Sequence, residues 1–274
     1  VLQNNNNTYT HGVNFGGAVY VAADATFNMN GGIIQNNSAK TDGGVDNCGT
    51  FNLNGGSVIN NTSTANNSGG VRNQGDFTAE NATISNNTGT GVWSNKSITM
   101  TDCTVENNTA SLGGGIYVQD VNKAANNKIT VVLTLNNCKV NNNTATGKYG
   151  GGIWCNGKFV MNGGEISGNS STNQGGGVYG SGDFEINGTI TNNESNAGGG
   201  VYNYTSGTNP GGTCVIKSNA VILGNTARSS SGGVWSDSET VIADGAVTNN
   251  TADGSGTNIY KEWAWATATD AGYY

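Results

Sequence analysis

Proline occurs once in this chain, histidine once, and charged residues make up only 11 % of it. Each scarcity excludes a class of protein. Abundant glycine with almost no proline is not collagen. The small charged fraction, with Val, Ile, Leu, Phe, Tyr and Trp recurring at intervals, is unlike a solvated disordered segment. Eleven Lys plus Arg against 18 Asp plus Glu give a net charge of −7, which leaves no basic stripe to neutralise phosphates, so nucleic acid is not an expected partner. Apolar runs of about 18 residues are absent, so no helix spanning a membrane is expected within this chain. The five cysteines, Cys48, Cys103, Cys138, Cys155 and Cys214, are odd in number and lack CxxC spacing. That argues against a zinc site and a dense disulfide framework, and no cofactor is expected. No secretory leader precedes the polar opening "VLQNNNNTYT", which reads as the start of a mature chain or of a fragment.

What is present is glycine, 45 residues, with asparagine about as frequent. Both disfavour long helices and favour short strands joined by tight turns. The phrase "GGGIYV" at Gly113 recurs as "GGGIWC" at Gly150 and "GGGVYG" at Gly175. Aligned on the apolar residue after the glycines, it falls at Val19, Val45, Val71, Val92, Ile116, Ile153, Val178, Val201, Val234 and Ile259. Eight of the nine spacings lie between 21 and 33 residues. The exception contains "QDVNKAANNKIT", which reads as an inserted loop. Two more apolar phrases follow in each unit. One runs through Phe27, Phe51, Phe77, Ile98, Leu133, Phe159 and Phe184; the other through Ile34, Val58, Ile84, Val105, Val140, Ile166, Ile190, Ile222 and Val247.

Three short strand-like phrases in a repeat of about 25 residues match a coil of a parallel β-helix better than a propeller blade of about 40 residues. The expected fold is all-β: a single right-handed parallel β-helix of about nine to ten coils with three short strands each, stacked at about 4.8 Å into a rod of roughly 45 Å. Residues 16–256 form the repeats, 1–15 an N-terminal extension or cap, and 257–274 a C-terminal cap or docking segment.

Strand periodicity assigns the positions. Three residues after the third apolar position stands asparagine in every unit: Asn37, Asn61, Asn87, Asn108, Asn143, Asn169, Asn193, Asn225 and Asn250. This residue is expected both to take the left-handed backbone of a corner and to bond its copy in the next coil, as a structural ladder. N-x-[ST] motifs such as Asn36-Asn37-Ser38 fall out of the same turn, so glycosylation is the functional alternative. Two residues before the inward apolar residue a small one faces in, which makes Cys103 and Cys138 stacked, buried thiols. Between the inward Ile116 and Val118, Tyr117 points out. The outward set is Tyr20, Trp93, Tyr117, Trp154, Tyr179, Tyr202, Trp235 and Tyr260, interrupted by Asp46 and Arg72. It forms a stripe that is either covered or a contact surface for sugars or another rod.

"GGAV" at Gly16, paired with "FNMN" at Phe27, "FNLN" at Phe51, "FVMN" at Phe159 and "FEIN" at Phe184, resembles the GGA[IV] and FxxN repeats of the polymorphic outer-membrane proteins and related β-helix adhesins. The resemblance covers the chain from Gly16 to about Asn250. It implies a right-handed parallel β-helix exposed at a cell surface, with a role in adhesion.

The functional expectation is a non-catalytic extracellular structural or adhesive module of a cell-surface protein, with host or cell-surface glycans or proteins, or itself, as partner. One alternative is a subunit of a self-assembling extracellular filament, built where "EWAWATATDAGYY" meets the N-terminus of the next molecule. Another is a polysaccharide-acting β-helix enzyme, which needs clustered carboxylates or a Ca²⁺ site. The nearest carboxylate pairs, Asp42 with Asp46 and Asp237 with Glu239, read as solvated turn positions, and His11 precedes the first clear coil.

Overall fold

The computed structural model describes residues 1–7, 16–126, 128–204, 212–237, 239–243 and 246–261. Among them every strand pairing is parallel, and each strand meets its copy one repeat away. The chain is a parallel β-helix. Its cause is local. Strands of three to five residues alternate apolar and polar side chains, no strand buries an apolar face alone, and stacking identical units joins those faces into one core.

The glycine phrases form a ten-stranded sheet whose register pairs Val19, Val45, Val71, Val92, Ile116, Ile153, Val178, Val201, Val234 and Ile259 in sequence. From Val45 to Val234 all are fully buried. The second and third phrases share a single larger sheet. In four coils they fuse into one strand, at Thr50–Ile59, Asp76–Ser85, Lys158–Ser167 and Phe184–Thr191. The column from Phe27 to Phe184 continues through Cys214 and Thr240, residues whose phrases lack the aromatic signal. Within it Phe27, Phe51 and Phe77 stack at 5.2 and 5.3 Å.

Most coils also carry a short strand just after the ladder asparagine, such as Thr144–Ala145, which the expected three strands per coil did not include; after Asn87 only isolated bridges at Thr88 take its place. Its Ala points in (Ala110 and Ala145 are buried) and its Thr points out. Two residues are too few to register as a periodic pattern.

The insertion after Val118 contains a helix, α1 (Val121–Asn126). Asp120 caps it, accepting from the amides of Asn122 at 3.0 Å and Lys123 at 3.2 Å, as an Asp at that position does. Lys123 reaches across to the Ser181 carbonyl and hydroxyl and so pins the insertion to the rod. At the other end of the chain, Leu2 and Gln3 pair with Ile34 and Gln35, and Asn6 and Asn7 with Ser38 and Ala39, so coil pairing begins before Gly16. His11 and the segment 262–274 lie outside the described residues.

Candidate functional site

The asparagine ladder is continuous. Each backbone amide from Asn37 to Asn225 donates to the side-chain oxygen of the next ladder residue at 2.8–3.0 Å. Each Nδ2 donates to the same oxygen at 2.9–3.2 Å. The second Nδ2 proton goes back to a carbonyl of the preceding coil, as from Asn143 to Val105 at 2.9 Å. All nine ladder residues are buried. Only a primary amide supplies an acceptor and two donors in this geometry; stacked carboxylates would repel, and a buried hydroxyl is too short. The ladder is longer than expected: Asn5 precedes Asn37, and Asn258 follows Asn250.

One role assigned to the ladder residue belongs to its neighbour. The left-handed backbone is taken by the residue before it: Asn36, Asn60, Asn86, Asn107, Asn142, Asn192 and Asn249, with φ between 52 and 56°, and Gly168 and Gly224 in two coils. These asparagines are exposed. An "NN" pair therefore divides the work, the first turning the chain and the second bonding along the axis. In motifs such as Asn36-Asn37-Ser38, the acceptor of an N-x-[ST] glycan is the exposed first residue, so the motif and the ladder use different side chains.

The glycines complete the corner. Gly113 has φ +54°, and a methyl group at Gly114 would lie 2.5 Å from the Gly151 carbonyl and 2.6 Å from that of Thr144. At Gly115 it would lie 2.7 Å from the Gly152 oxygen and 2.9 Å from the Asn143 amide. The repeated glycines are thus the steric partners of the ladder.

The outward aromatics stack on one another. Trp93, Tyr117 and Trp154 are half-buried, with centroids 6.2 and 4.3 Å apart and rings within 8° of parallel. Tyr179, Tyr202 and Trp235 are under 9 % exposed, Tyr202 and Trp235 lying 4.0 Å apart at 1°. Tyr260 is half-buried on Trp235 at 6.2 Å, and Tyr149 and Tyr204 fold over Tyr179. Ring faces meet along the axis, so ring edges are what point outward. Tyr20, 42 % exposed, stands apart beyond Asp46 and Arg72.

Those two interrupting residues continue the column in another form. Arg72 bonds Asp46 at 3.3 Å, lies 3.7 Å from Asp42, and covers the Trp93 face at 5.5 Å. The reading of Asp42 and Asp46 as solvated turns is overturned, since both are buried. Asp42 Oδ1 and Asp46 Oδ2 find no hydrogen-bond partner among the described residues. Two buried carboxylates share one guanidinium, which offsets the charge of only one of them. Burial, then the charge of Asp46, pushes Asp42 up to about 7 against the pull of Arg72, and burial likewise raises Asp46. An acid raised on folding binds its proton more tightly when folded, so its contribution is fully present at low pH and lost as pH rises from about 4 to about 7. Urea unfolding of Asp42→Asn beside the parent is expected to show the variant gaining, relative to the parent, on the order of 2 kcal/mol between pH 4.5 and 7.5. A constant difference across that range would refute the assignment.

The other pair, Asp237 and Glu239, sits near the last described coils, with Asp237 half-buried and Glu239 exposed. Among the described residues no group of three His, Cys, Asp or Glu side chains is placed to hold a metal ion. Cys103 and Cys138 are stacked and buried as free thiols, the Cys103 amide 3.5 Å from the Cys138 sulfur. Further ladders went unnoticed in the sequence. Asn47, Asn73 and Ser94 form a buried one at 2.7 and 3.0 Å. Asn28, Asn52 and Thr78 form one on the outer surface, at 2.8 and 2.9 Å. Their signal was available: a polar residue, mostly asparagine, at a shared offset in neighbouring repeats.

These features define an asparagine-laddered parallel β-helix. Compared with models of known protein families, with curated proteins and with solved structures, the chain matched none.

Proposed function

We propose that this chain is a non-catalytic extracellular structural or adhesive module, a stiff rod within a cell-surface protein that presents its outer face to glycans or proteins. The observation that carries this reading is the direction in which its side chains are used. Amides, aromatic rings and ion pairs such as Lys158–Glu185–Lys217 all bond from coil to coil along the axis, which suits mechanical continuity rather than convergence on a reacting atom. The likeness of its "GGAV" and FxxN phrases to surface adhesin repeats supports the same reading. Burial and pairing of Asp42 and Asp46 remove the best carboxylate pair from reach of a polysaccharide.

Trp154→Ala and Trp235→Ala test the adhesive part. Trp235→Ala is expected to lower stability by roughly 3 kcal/mol and the half-buried Trp154→Ala by roughly 1–2 kcal/mol, read by thermal unfolding. Cell and glycan-array binding should fall more for Trp154→Ala, whose ring edge is open. Binding unchanged in both variants would sink the stripe as a contact surface.

A further inference from the structure

The glycine pair before the inward residue is replaced in part at Gly17-Ala18 and Thr90-Gly91, and it is lost altogether at one appearance, before Ile259. Where earlier coils have Gly114-Gly115, Gly151-Gly152, Gly176-Gly177, Gly199-Gly200 and Gly232-Gly233, the final one has Thr257-Asn258 before Ile259. Each of these glycines lies close against the coil stacked beyond it. At the first glycine of these pairs a methyl group would meet carbonyls of that coil: 2.5 Å from Gly151 O for Gly114, and 2.5 Å from Glu194 O and from Gly199 O for Gly176. At the second it would meet that coil's ladder amide: 2.9 Å from Asn143 for Gly115, 3.1 Å from Asn225 for Gly200, and 2.8 Å from Asn250 for Gly233. Thr257 and Asn258 put side chains into the volumes that another coil's backbone and ladder amide would fill.

Asn258 also satisfies the bonds that such a coil would have made. Its Oδ1 accepts from the Asn250 amide at 3.0 Å and from Asn250 Nδ2 at 3.2 Å. Between successive rungs the same two bonds are 2.8–3.0 and 2.9–3.2 Å. The partner is only eight residues away instead of a full repeat. A residue from the glycine phrase thus stands where a next rung of the ladder would stand.

We infer that Thr257 and Asn258 are a ladder stop, which closes the asparagine ladder beyond Asn250 and prevents a second copy of the chain from continuing it there. Steric filling blocks the incoming glycine corner, and the last donors are already satisfied, so a copy arriving with its own asparagine finds neither space nor an open hydrogen bond. Unpaired strand edges are the usual route to end-to-end association, and here the strongest axial contact is withdrawn from that edge. The inference rests on coil stacking and not on adhesion, so its failure would leave the adhesive reading standing, and loss of ligand binding would leave the stop standing.

Amide hydrogen exchange at Asn250 and sedimentation of the full chain test it together. In Asn258→Gly the Asn250 amide should exchange about tenfold faster or more, while Asn258→Asp, which keeps the acceptor oxygen, should retain protection. The parent chain should sediment without concentration-dependent end-to-end growth. Unchanged exchange in Asn258→Gly, loss of protection in Asn258→Asp equal to that in Asn258→Gly, or parent fibres whose coil spacing runs unbroken from one molecule into the next would each overturn the inference.

Discussion

Asn143→Ala is expected to cost about 4 kcal/mol in urea unfolding, against under about 0.5 kcal/mol for Asn162→Ala. Asn143 sits in the middle of the ladder, fully buried. Its oxygen accepts from the Asn108 amide and Nδ2, each at 3.0 Å, and its own Nδ2 donates to Val105 O at 2.9 Å and Asn169 Oδ1 at 3.0 Å. Alanine breaks all four bonds and strands two donors of Asn108 where water does not reach, and each unsatisfied buried group costs about 1–3 kcal/mol. Asn162 makes a similar bond, 3.0 Å to Asn136 Oδ1, but on the exposed outer surface, where water replaces the lost partner. Equal losses in the two variants would show that burial of the ladder is not what makes it stabilising. Hydrogen exchange should place the damage in the coils on either side of Asn143, because each coil in a stacked rod contacts only its neighbours.

The second large effect is expected at a glycine. Gly114→Ala adds one methyl group, yet that carbon would sit 2.5 Å from Gly151 O and 2.6 Å from Thr144 O. Both atoms are backbone and both are held by coil pairing: the Gly114 amide bonds Gly150 O at 3.1 Å, and Thr144 pairs with Thr109 and Ser170. Relief requires moving two coils apart, at about 2–4 kcal/mol. Gly163→Ala is the contrast for space alone, because nothing lies within 4 Å of a methyl group there, although its φ of +79° adds backbone strain. A thermal unfolding series in which Gly114→Ala is no worse than Gly163→Ala would reject close coil approach as the reason for the glycine phrase.

The position of each repeat was legible from the sequence because a solenoid is nearly one-dimensional. Val92, Ile116 and Ile153 share an offset in the chain, and they share a register in the sheet. Offset and register are the same quantity when every unit stacks on its neighbour. For the same reason the ladder at Asn108, Asn143 and Asn169 was visible as a recurring amide. The column of Phe27, Phe51 and Phe77 was visible as a recurring ring.

What failed to show was whatever does not repeat as an offset: local dihedral angles, rotamers, and meetings of unlike residues. The division of "NN" into a turning residue and a bonding residue needs a dihedral angle, +54° at Asn142, which composition does not carry. Burial of Asp42 and Asp46 beside Arg72 needs three residues from two neighbouring coils to meet. Whether the aromatic stripe lay open or stacked turned on rotamers that bring Tyr202 and Trp235 within 4.0 Å. The helix Val121–Asn126 lies in an insertion with no copy elsewhere, so no repeat could report on it.

The sequence by itself therefore determined the fold class, the strand register, the inward residues and the ladder, because periodic apolar and amide positions admit few other ways of being buried together. Only the tertiary structure decided how far the outward side chains are covered, which carboxylates are buried, and what Asn250 bonds to. Those outcomes depend on distances across neighbouring coils, such as the 3.0 Å from the Asn250 amide to Asn258, that no single repeat contains.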